Sequence, residues 1–150
     1  MTKAETIAGL KEKLGPSLLN CLEKSSRRIY LEVRPEDIRA VTQVIFRELG
    51  ARLSTATATD ASAHLEILYH WTFDQAGLVA SVRVKLDRGH PEIDSIAALC
   101  KGAEWIEREM WELLGIQFRG HPDLRHLLLM DDWPAGQYPL RRDFKLKKLT

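Results

Sequence analysis

Residues 107–115 read EREMWELLG, and their pattern predicts the end of an amphipathic helix that begins near residue 103. At helical spacing, one apolar stripe is expected to face a core: Ile106, Met110 and Leu113. A second stripe alternates in charge and predicts a solvent-exposed ladder of i, i+4 pairs: Glu104, Arg108 and Glu112. Gly115 follows, where a C-terminal cap is expected.

The chain after Gly115 is predicted to be irregular, because glycines and prolines interrupt it repeatedly: Gly120, Pro122, Pro134, Gly136 and Pro139. The same segment is rich in apolar side chains: Leu127, Leu128, Leu129, Met130, Trp133, Tyr138, Leu140 and Phe144. Long segments without secondary structure are uncommon inside compact domains. We therefore expect residues 116–150 to form an extended arm that packs on a partner.

The order of helix and strand patterns in residues 1–115 predicts one α+β domain. Periodicity indicates a short helix ended by Gly15 and Pro16, a strand at 28–34, and a helix from Pro35 to Gly50. Three strands follow, at 51–59, 64–73 and 78–86, and the last two form an antiparallel hairpin. We assign 51–59 to a sheet edge. The expected architecture is a two-layer domain, a mostly antiparallel or mixed sheet with helices on one face.

Composition indicates a soluble globular protein, with 45% hydrophobic and 29% charged residues. No apolar run approaches the roughly 20 residues that span a bilayer, and the N-terminus does not resemble a secretory signal, so we expect a cytoplasmic protein without direct membrane insertion. Cys21 and Cys100 are too few for a four-ligand zinc or iron–sulfur site. They are expected to be reduced thiols.

Two groups of histidines are candidate metal sites, and one of them remains open. His121, Asp123 and His126 could hold a metal in a small hydrolase, although a third metal-binding side chain of the usual kind is not evident, and histidines that hydrogen-bond the arm's backbone are the simpler interpretation. His64 and His70 lie on one strand but are about 20 Å apart, at ~3.3 Å per residue, and cannot share an ion.

Glu109 is predicted to be half-buried, because it lies one turn from Trp105 and Leu113. A buried carboxylate needs an arginine or a set of backbone N–H groups. We expect Glu109 to hold the arm or a neighbouring subunit, with one of three arginines as its partner: Arg125, Arg141 or Arg142.

A nucleic-acid-binding module is the alternative from another class. The last ten residues carry five basic groups against Asp143, a balance of +4, beside the aromatic residues Trp133, Tyr138 and Phe144. The whole chain has a net charge of only +1, which argues against this alternative. The sequence contains no glycine-rich phosphate loop and no Cys-X-X-Cys pair.

The C-terminal third has many characteristic residue types at fixed spacing: Glu107, Arg108, Glu109, Glu112, Leu113, Leu114, His121, Arg125, Leu127, Leu128, Asp132, Trp133 and residues 138–144. In these positions it resembles the signature of the 30 kDa subunit family of respiratory NADH dehydrogenase, which is complex I.

The resemblance implies a non-catalytic subunit of the peripheral arm of a complex I-like oxidoreductase, either an NADH:quinone oxidoreductase or a membrane-bound [NiFe] hydrogenase. Such a subunit holds no cofactor, lies on the inner face of the membrane and docks on the large subunit and an iron–sulfur subunit. Iron–sulfur clusters and NiFe or flavin would belong to those partners. Together with the apolar pattern, the resemblance gives these candidate partner-binding residues: Glu109, His121, Arg125, Trp133, Tyr138, Leu140, Arg141, Arg142 and Phe144.

Overall fold

A computed structural model describes residues 1–146. Seven strands occur in this part of the chain: β1 Leu18–Ser25, β2 Arg28–Val33, β3 Arg52–Asp60, β4 His64–Phe73, β5 Leu78–Asp87, β6 Glu92–Asp94 and β7 Gln117–Arg119. The α-helices are α1 Lys3–Leu14, α2 Ile38–Thr42 and α3 Glu104–Leu114. Short 3₁₀ turns precede two of them, Pro35–Asp37 before α2 and Lys101–Ala103 before α3, and α2 continues as a π-helical segment, Gln43–Glu48.

The main sheet has five strands in the order β1-β2-β5-β4-β3. The β2 and β5 strands pair in parallel, and the other neighbours are antiparallel. The predicted hairpin of β4 and β5 is confirmed, with His64 opposite Asp87 and Phe73 opposite Leu78. The strand predicted at 51–59 is β3, and it lies at a sheet edge as expected.

One face of the sheet forms the core. In β4 every second residue from Leu65 to Phe73 is buried, while the residues between them are half-buried, so the alternation read from the sequence is confirmed. All three helices contribute apolar side chains to the same core, among them Leu10, Ile38 and Met110. The predicted α+β class with a mixed sheet is therefore confirmed.

Strand β1 was not predicted. Its residues are exposed or half-buried on both faces, and Leu19 and Leu22 leave 57% and 55% of their surface exposed, so the strand lacks the alternation by which a half-buried strand is recognised. Pairing with β2, rather than burial of its own side chains, keeps it in the sheet.

The start of the arm also differs from the prediction. Ile116 and Phe118 are buried in the core, and β7 pairs in parallel with β6. The irregular course therefore begins at Gly120 rather than at residue 116. Strands of three residues carry too little pattern to be detected from sequence. We use "the arm" for residues 120–146 from here on.

Helix α3 ends where the sequence predicts. Gly115 adopts the left-handed conformation, with φ of 75°, and its N–H donates to Trp111 O at 2.9 Å. A Cβ at this position would lie 2.5 Å from the ring of Tyr138 in the arm. Glycine is needed here both for its backbone conformation and for the close approach of the arm.

Replacing Gly115 with alanine should lower the free energy of unfolding by about 1–2 kcal/mol, because the left-handed conformation is strained for alanine and Tyr138 must move. Urea unfolding would measure this loss. Gly102→Ala is the matched control, since its new Cβ would meet Cys100 Sγ only at ordinary contact distance, 3.9 Å. Equal stability of the two variants would contradict the prediction.

Candidate interaction site: the arm and its anchors

The first anchor of the arm is the carboxylate of Glu112, which is buried in α3. It accepts hydrogen bonds from the backbone N–H groups of Leu127, Leu128 and Leu129 at 3.0, 2.7 and 3.3 Å, and from His126 Nδ1 at 3.2 Å. Burial alone would raise the pKa of Glu112, but these donors outweigh it and lower the pKa. The carboxylate is therefore ionised at neutral pH and replaces the backbone partners that an irregular segment lacks.

Arg108 is the second anchor and lies one turn before Glu112. Its Nε donates to Arg125 O at 2.9 Å and its Nη2 to His126 O at 2.5 Å. The guanidinium binds carbonyl groups of the arm and the carboxylate binds N–H groups. One face of α3 thus supplies hydrogen-bond partners for backbone C=O groups and for backbone N–H groups of residues 125–129.

The far end of the arm is bound to the end of β3. Asp60 accepts the N–H of Arg142 at 2.9 Å, the N–H of Ser62 at 3.0 Å and the guanidinium of Arg88. The hydrogen bond from Arg88 is the main reason that the pKa of Asp60 is far below its usual range. Arg142 Nε also donates to Asp60 O at 2.8 Å, so this arginine is held by two bonds.

Between these anchors the arm follows the C-terminal end of α3. The N–H of Leu140 donates to Leu113 O at 3.0 Å, and Arg141 Nε donates to Leu114 O at 2.6 Å. These bonds occupy carbonyl groups that a helix end leaves without helical partners. The guanidinium of Arg141 also lies over the ring of Tyr138, 5.0 Å from its centroid.

Several apolar side chains of the arm are exposed, while others, among them Leu127 and Leu129, are half-buried. Four are largely exposed, at 64% for Leu128, 73% for Met130, 59% for Leu140 and 82% for Leu146. Trp133 and Phe144 stack on each other at 6.2 Å between ring centroids and are half-buried. The arm thus binds its own domain through its backbone and through polar side chains such as Arg141 and Arg142, while several of its apolar side chains stay exposed.

A buried polar cluster lies where the arm begins. Glu107 is fully buried and accepts the hydroxyl of Ser95 at 2.5 Å and the N–H of Ile96 at 2.8 Å. Burial raises the pKa of Glu107 to about 7, and these two bonds offset only part of that effect. The His121 side chain, also fully buried, lies 3.9 Å from this carboxylate.

The hydrogen bonds of His121 define its tautomer. The N–H of Asp123 donates to Nδ1 at 2.9 Å, so the proton is on Nε2, which lies 2.8 Å from Glu104 O. His121 therefore fixes the first turn of the arm to the start of α3, as the sequence interpretation of backbone-bonding histidines expects. His126 lies against Glu112 instead. Within residues 1–146 no three His, Cys, Asp or Glu side chains are grouped as metal ligands.

The predicted environment of Glu109, half-buried and paired with an arginine, is wrong. Glu109 is exposed, and the arginines proposed as its partners bind elsewhere: Arg125 to Asp123, Arg141 to Leu114 O and Arg142 to Asp60. The predicted exposed ladder is wrong too, since Arg108 and Glu112 are buried. The role of holding the arm belongs to Glu112, three residues later, while contact of Glu109 with a neighbouring subunit stays a prediction.

A signal for the true anchors was present in the sequence. Glu107, Arg108 and Glu112 all belong to the motif that carried the family resemblance, but the periodic pattern assigned Arg108 and Glu112 to solvent. Trp105, the neighbour from which Glu109 was expected to be half-buried, is itself 67% exposed. Contacts of Trp133, Tyr138, Leu140 and Phe144 with another subunit stay a prediction. Of the basic tail, Lys147 and Lys148 lie outside the described residues.

No helix in the described part of the chain is both long and apolar enough to span a membrane.

Comparison with known proteins gives a consistent result. The family model described as respiratory-chain NADH dehydrogenase, 30 Kd subunit, matches residues 31–150. The C subunit of NADH-quinone oxidoreductase from Geobacter metallireducens is 32% identical over 92% of this chain and 86% of its own length. The C subunit of F(420)H(2) dehydrogenase from Methanosarcina mazei is 41% identical over 54% of this chain and 51% of its own.

Two solved structures share the fold. A chain of the membrane-bound sulfane sulfur reductase, described as an archaeal respiratory membrane complex, superposes with a TM-score of 0.84 and 24% identity over 95% of this chain and 85% of that one. A structure described as the trypsin-resistant fragment (1-134) of Nqo5 superposes with a TM-score of 0.65 and 20% identity, covering 83% of this chain and all of the fragment.

Replacing Glu112 with glutamine should loosen the arm, because an amide supplies one acceptor oxygen where the carboxylate binds three N–H groups. We expect hydrogen exchange at Leu127, Leu128 and Leu129 to become at least about tenfold faster, the equivalent of ~1.4 kcal/mol. Glu109→Gln, the same change on the exposed side of α3, is the control and should leave these rates unchanged. Unaltered protection in the Glu112 variant would refute the anchoring role.

The buried Glu107 carboxyl predicts a specific pH dependence of stability. Its pKa is near 7 in the folded chain against 4.5 as a model value, so the folded state retains a proton that the unfolded state releases. The stabilisation is complete below about pH 4.5 and is lost as the pH rises through 7, a change of about 3 kcal/mol. Glu107→Gln should remove this loss. The free energy of unfolding of the variant should therefore rise relative to that of the wild type as the pH becomes alkaline.

Urea unfolding of both proteins at about pH 5 and pH 8 would test this difference. Glu109→Gln again serves as the control, since its carboxyl is exposed. Parallel pH profiles for wild type and Glu107→Gln would show that Glu107 titrates normally.

Proposed function

The chain belongs to the family of the 30 kDa subunit of respiratory-chain NADH dehydrogenase, and on this premise we propose that it is a non-catalytic assembly subunit whose arm docks on the large subunit. As a complex I-like 30 kDa subunit it is part of a multi-subunit, membrane-bound respiratory complex. The docking partner, the position on the inner face of the membrane and the support of electron transfer coupled to ion translocation are parts of the proposal.

One observation supports the proposal most strongly: the backbone of the arm is bonded to its own domain while several of its apolar side chains stay exposed. A segment that only covered its own domain would bury its leucines and methionines. Here Leu128, Met130, Leu140 and Leu146 are exposed while the peptide groups beside them are held inward. Exposed apolar surface of this kind typically marks an interface.

The arm also has the composition of an interface with a well-ordered partner. Trp133, Tyr138 and Phe144 are half-buried against their own chain, so each retains surface for contact. Aromatic and arginine side chains dominate binding energies at interfaces. Because residues 125–129 and 138–142 are already held in place, docking costs less conformational entropy than the folding of a free tail.

The redox chemistry belongs to the neighbouring subunits in this proposal. We infer no cofactor for this chain, and we assign the iron–sulfur clusters and the NiFe or flavin group to the large subunit, the iron–sulfur subunit and their neighbours. The names of the relatives include an NADH-quinone oxidoreductase and an F(420)H(2) dehydrogenase. The family therefore occurs with more than one electron donor.

Replacing Leu128 and Met130 with serine should abolish recovery of the large subunit when the neighbouring genes are co-expressed and this chain is captured by an affinity tag. The reason is loss of apolar contact area, worth about 1.5–3 kcal/mol for each buried side chain. The control replaces two leucines of similar exposure on the first edge strand, Leu19 and Leu22. Full recovery of the large subunit with the arm variant would count against docking through the arm.

A further inference from the structure

A groove runs between the edge strand β3 and helix α3, with a volume of about 240 Å³. Its lining is mostly apolar: Ala56, Thr57, Ala58, Ile106, Glu109, Met110, Leu113, Leu114 and Leu140. Leu140 belongs to the arm, so the groove is continuous with the surface proposed to dock on the large subunit.

Strand β3 offers an open edge along this groove. In the sheet of the described residues β3 pairs with β4 alone, so its other side has backbone N–H and C=O groups without a strand partner. Ala56 and Ala58 are half-buried and small, and both line the groove. An extended segment could bind here by pairing with the strand edge.

The charge of the groove restricts what can bind. Glu109 is the one charged residue among the lining residues named above, and it is exposed. None of the ion pairs within residues 1–146 involves it. A second copy of this chain would bring another Glu109, and no basic side chain, from the same groove. Like charges oppose self-pairing, whereas a lysine or arginine from another protein would be attracted.

We propose that the β3–α3 groove binds an extended segment of a neighbouring subunit, with small apolar side chains over Ala56 and Ala58 and a basic side chain opposite Glu109. The proposal rests on the proposed function, because it needs the chain to be assembled in a complex. It assigns Glu109 to a contact outside the chain, and it adds an edge-strand site to the docking surface of the arm.

Accessibility of the groove in the assembled complex is the direct test. Thr57→Cys, placed on the groove wall in a Cys21→Ser background, should react with a maleimide at least about tenfold more slowly in the complex than in the isolated chain. Ser25→Cys on β1, the opposite sheet edge, is the control and should react at the same rate in both. Equal rates for Thr57→Cys would overturn the proposal.

The charge requirement has its own test. Glu109→Lys should weaken binding of the captured chain to the rest of the complex by about tenfold and reduce the dependence of that binding on salt. Glu12→Lys, the same reversal at an exposed position on α1, should bind like the wild type. Wild-type binding by Glu109→Lys would refute a basic partner residue.

The outcomes separate this inference from the proposed function. If the Leu128 and Met130 variant loses the complex while Thr57→Cys stays reactive in the wild-type complex, the arm docks and the groove is empty. If the arm variant retains the complex, docking through the arm is refuted, and the reactivity of Thr57→Cys in the complex then decides the groove proposal separately. Protection of Thr57→Cys in the isolated chain, together with a dimer in solution, would identify a second copy as the occupant and overturn the proposal.

Discussion

The structure of the C-terminal region depends on the hydrogen bonds between a buried carboxylate and three consecutive backbone N–H groups. Residues 127–129 have no regular secondary structure, so their peptide groups require partners from elsewhere in the chain. Glu112 supplies these partners as an anion, and Arg108 supplies the complementary donors one turn away. Leaving a single buried N–H without an acceptor costs about 1–3 kcal/mol, so three such bonds hold the segment firmly.

This constraint explains why α3 departs from an ordinary amphipathic helix. Its buried side carries Glu107, Arg108 and Glu112 beside Met110 and Leu114, and each charged group has specific hydrogen-bond partners. Buried charges of this kind stabilise a structure less than apolar packing would, but they specify its geometry. In this chain the geometry specified is the path of the arm, together with the bonds of Arg142 to Asp60 at the end of β3.

The sequence predicted most of the domain because β4, β5 and the first two helices follow their hydrophobic periods closely. It failed at β1, which is exposed on both faces, and at β6 and β7, which are too short to have a period. It also exchanged Glu109 for Glu112 as the anchor, since a periodicity argument assigns charged residues to solvent and contains no information about an irregular segment later in the chain that needs an acceptor. Composition predicted that the arm would be apolar, whereas the path of the arm and the exposure of Leu128 and Met130 beside half-buried Leu127 and Leu129 required the three-dimensional structure.

The separation of Glu112 and Asp60 on two different elements has a consequence for quality control during biogenesis. The native shape of the arm requires both α3 and the end of β3 in their native positions, because each holds one end of it. In a misfolded or partly synthesised chain, the exposed leucines of the arm would therefore have no defined positions for contact with a neighbouring subunit. With the proposed docking through the arm, incorporation into the larger assembly would select for chains whose globular part is complete.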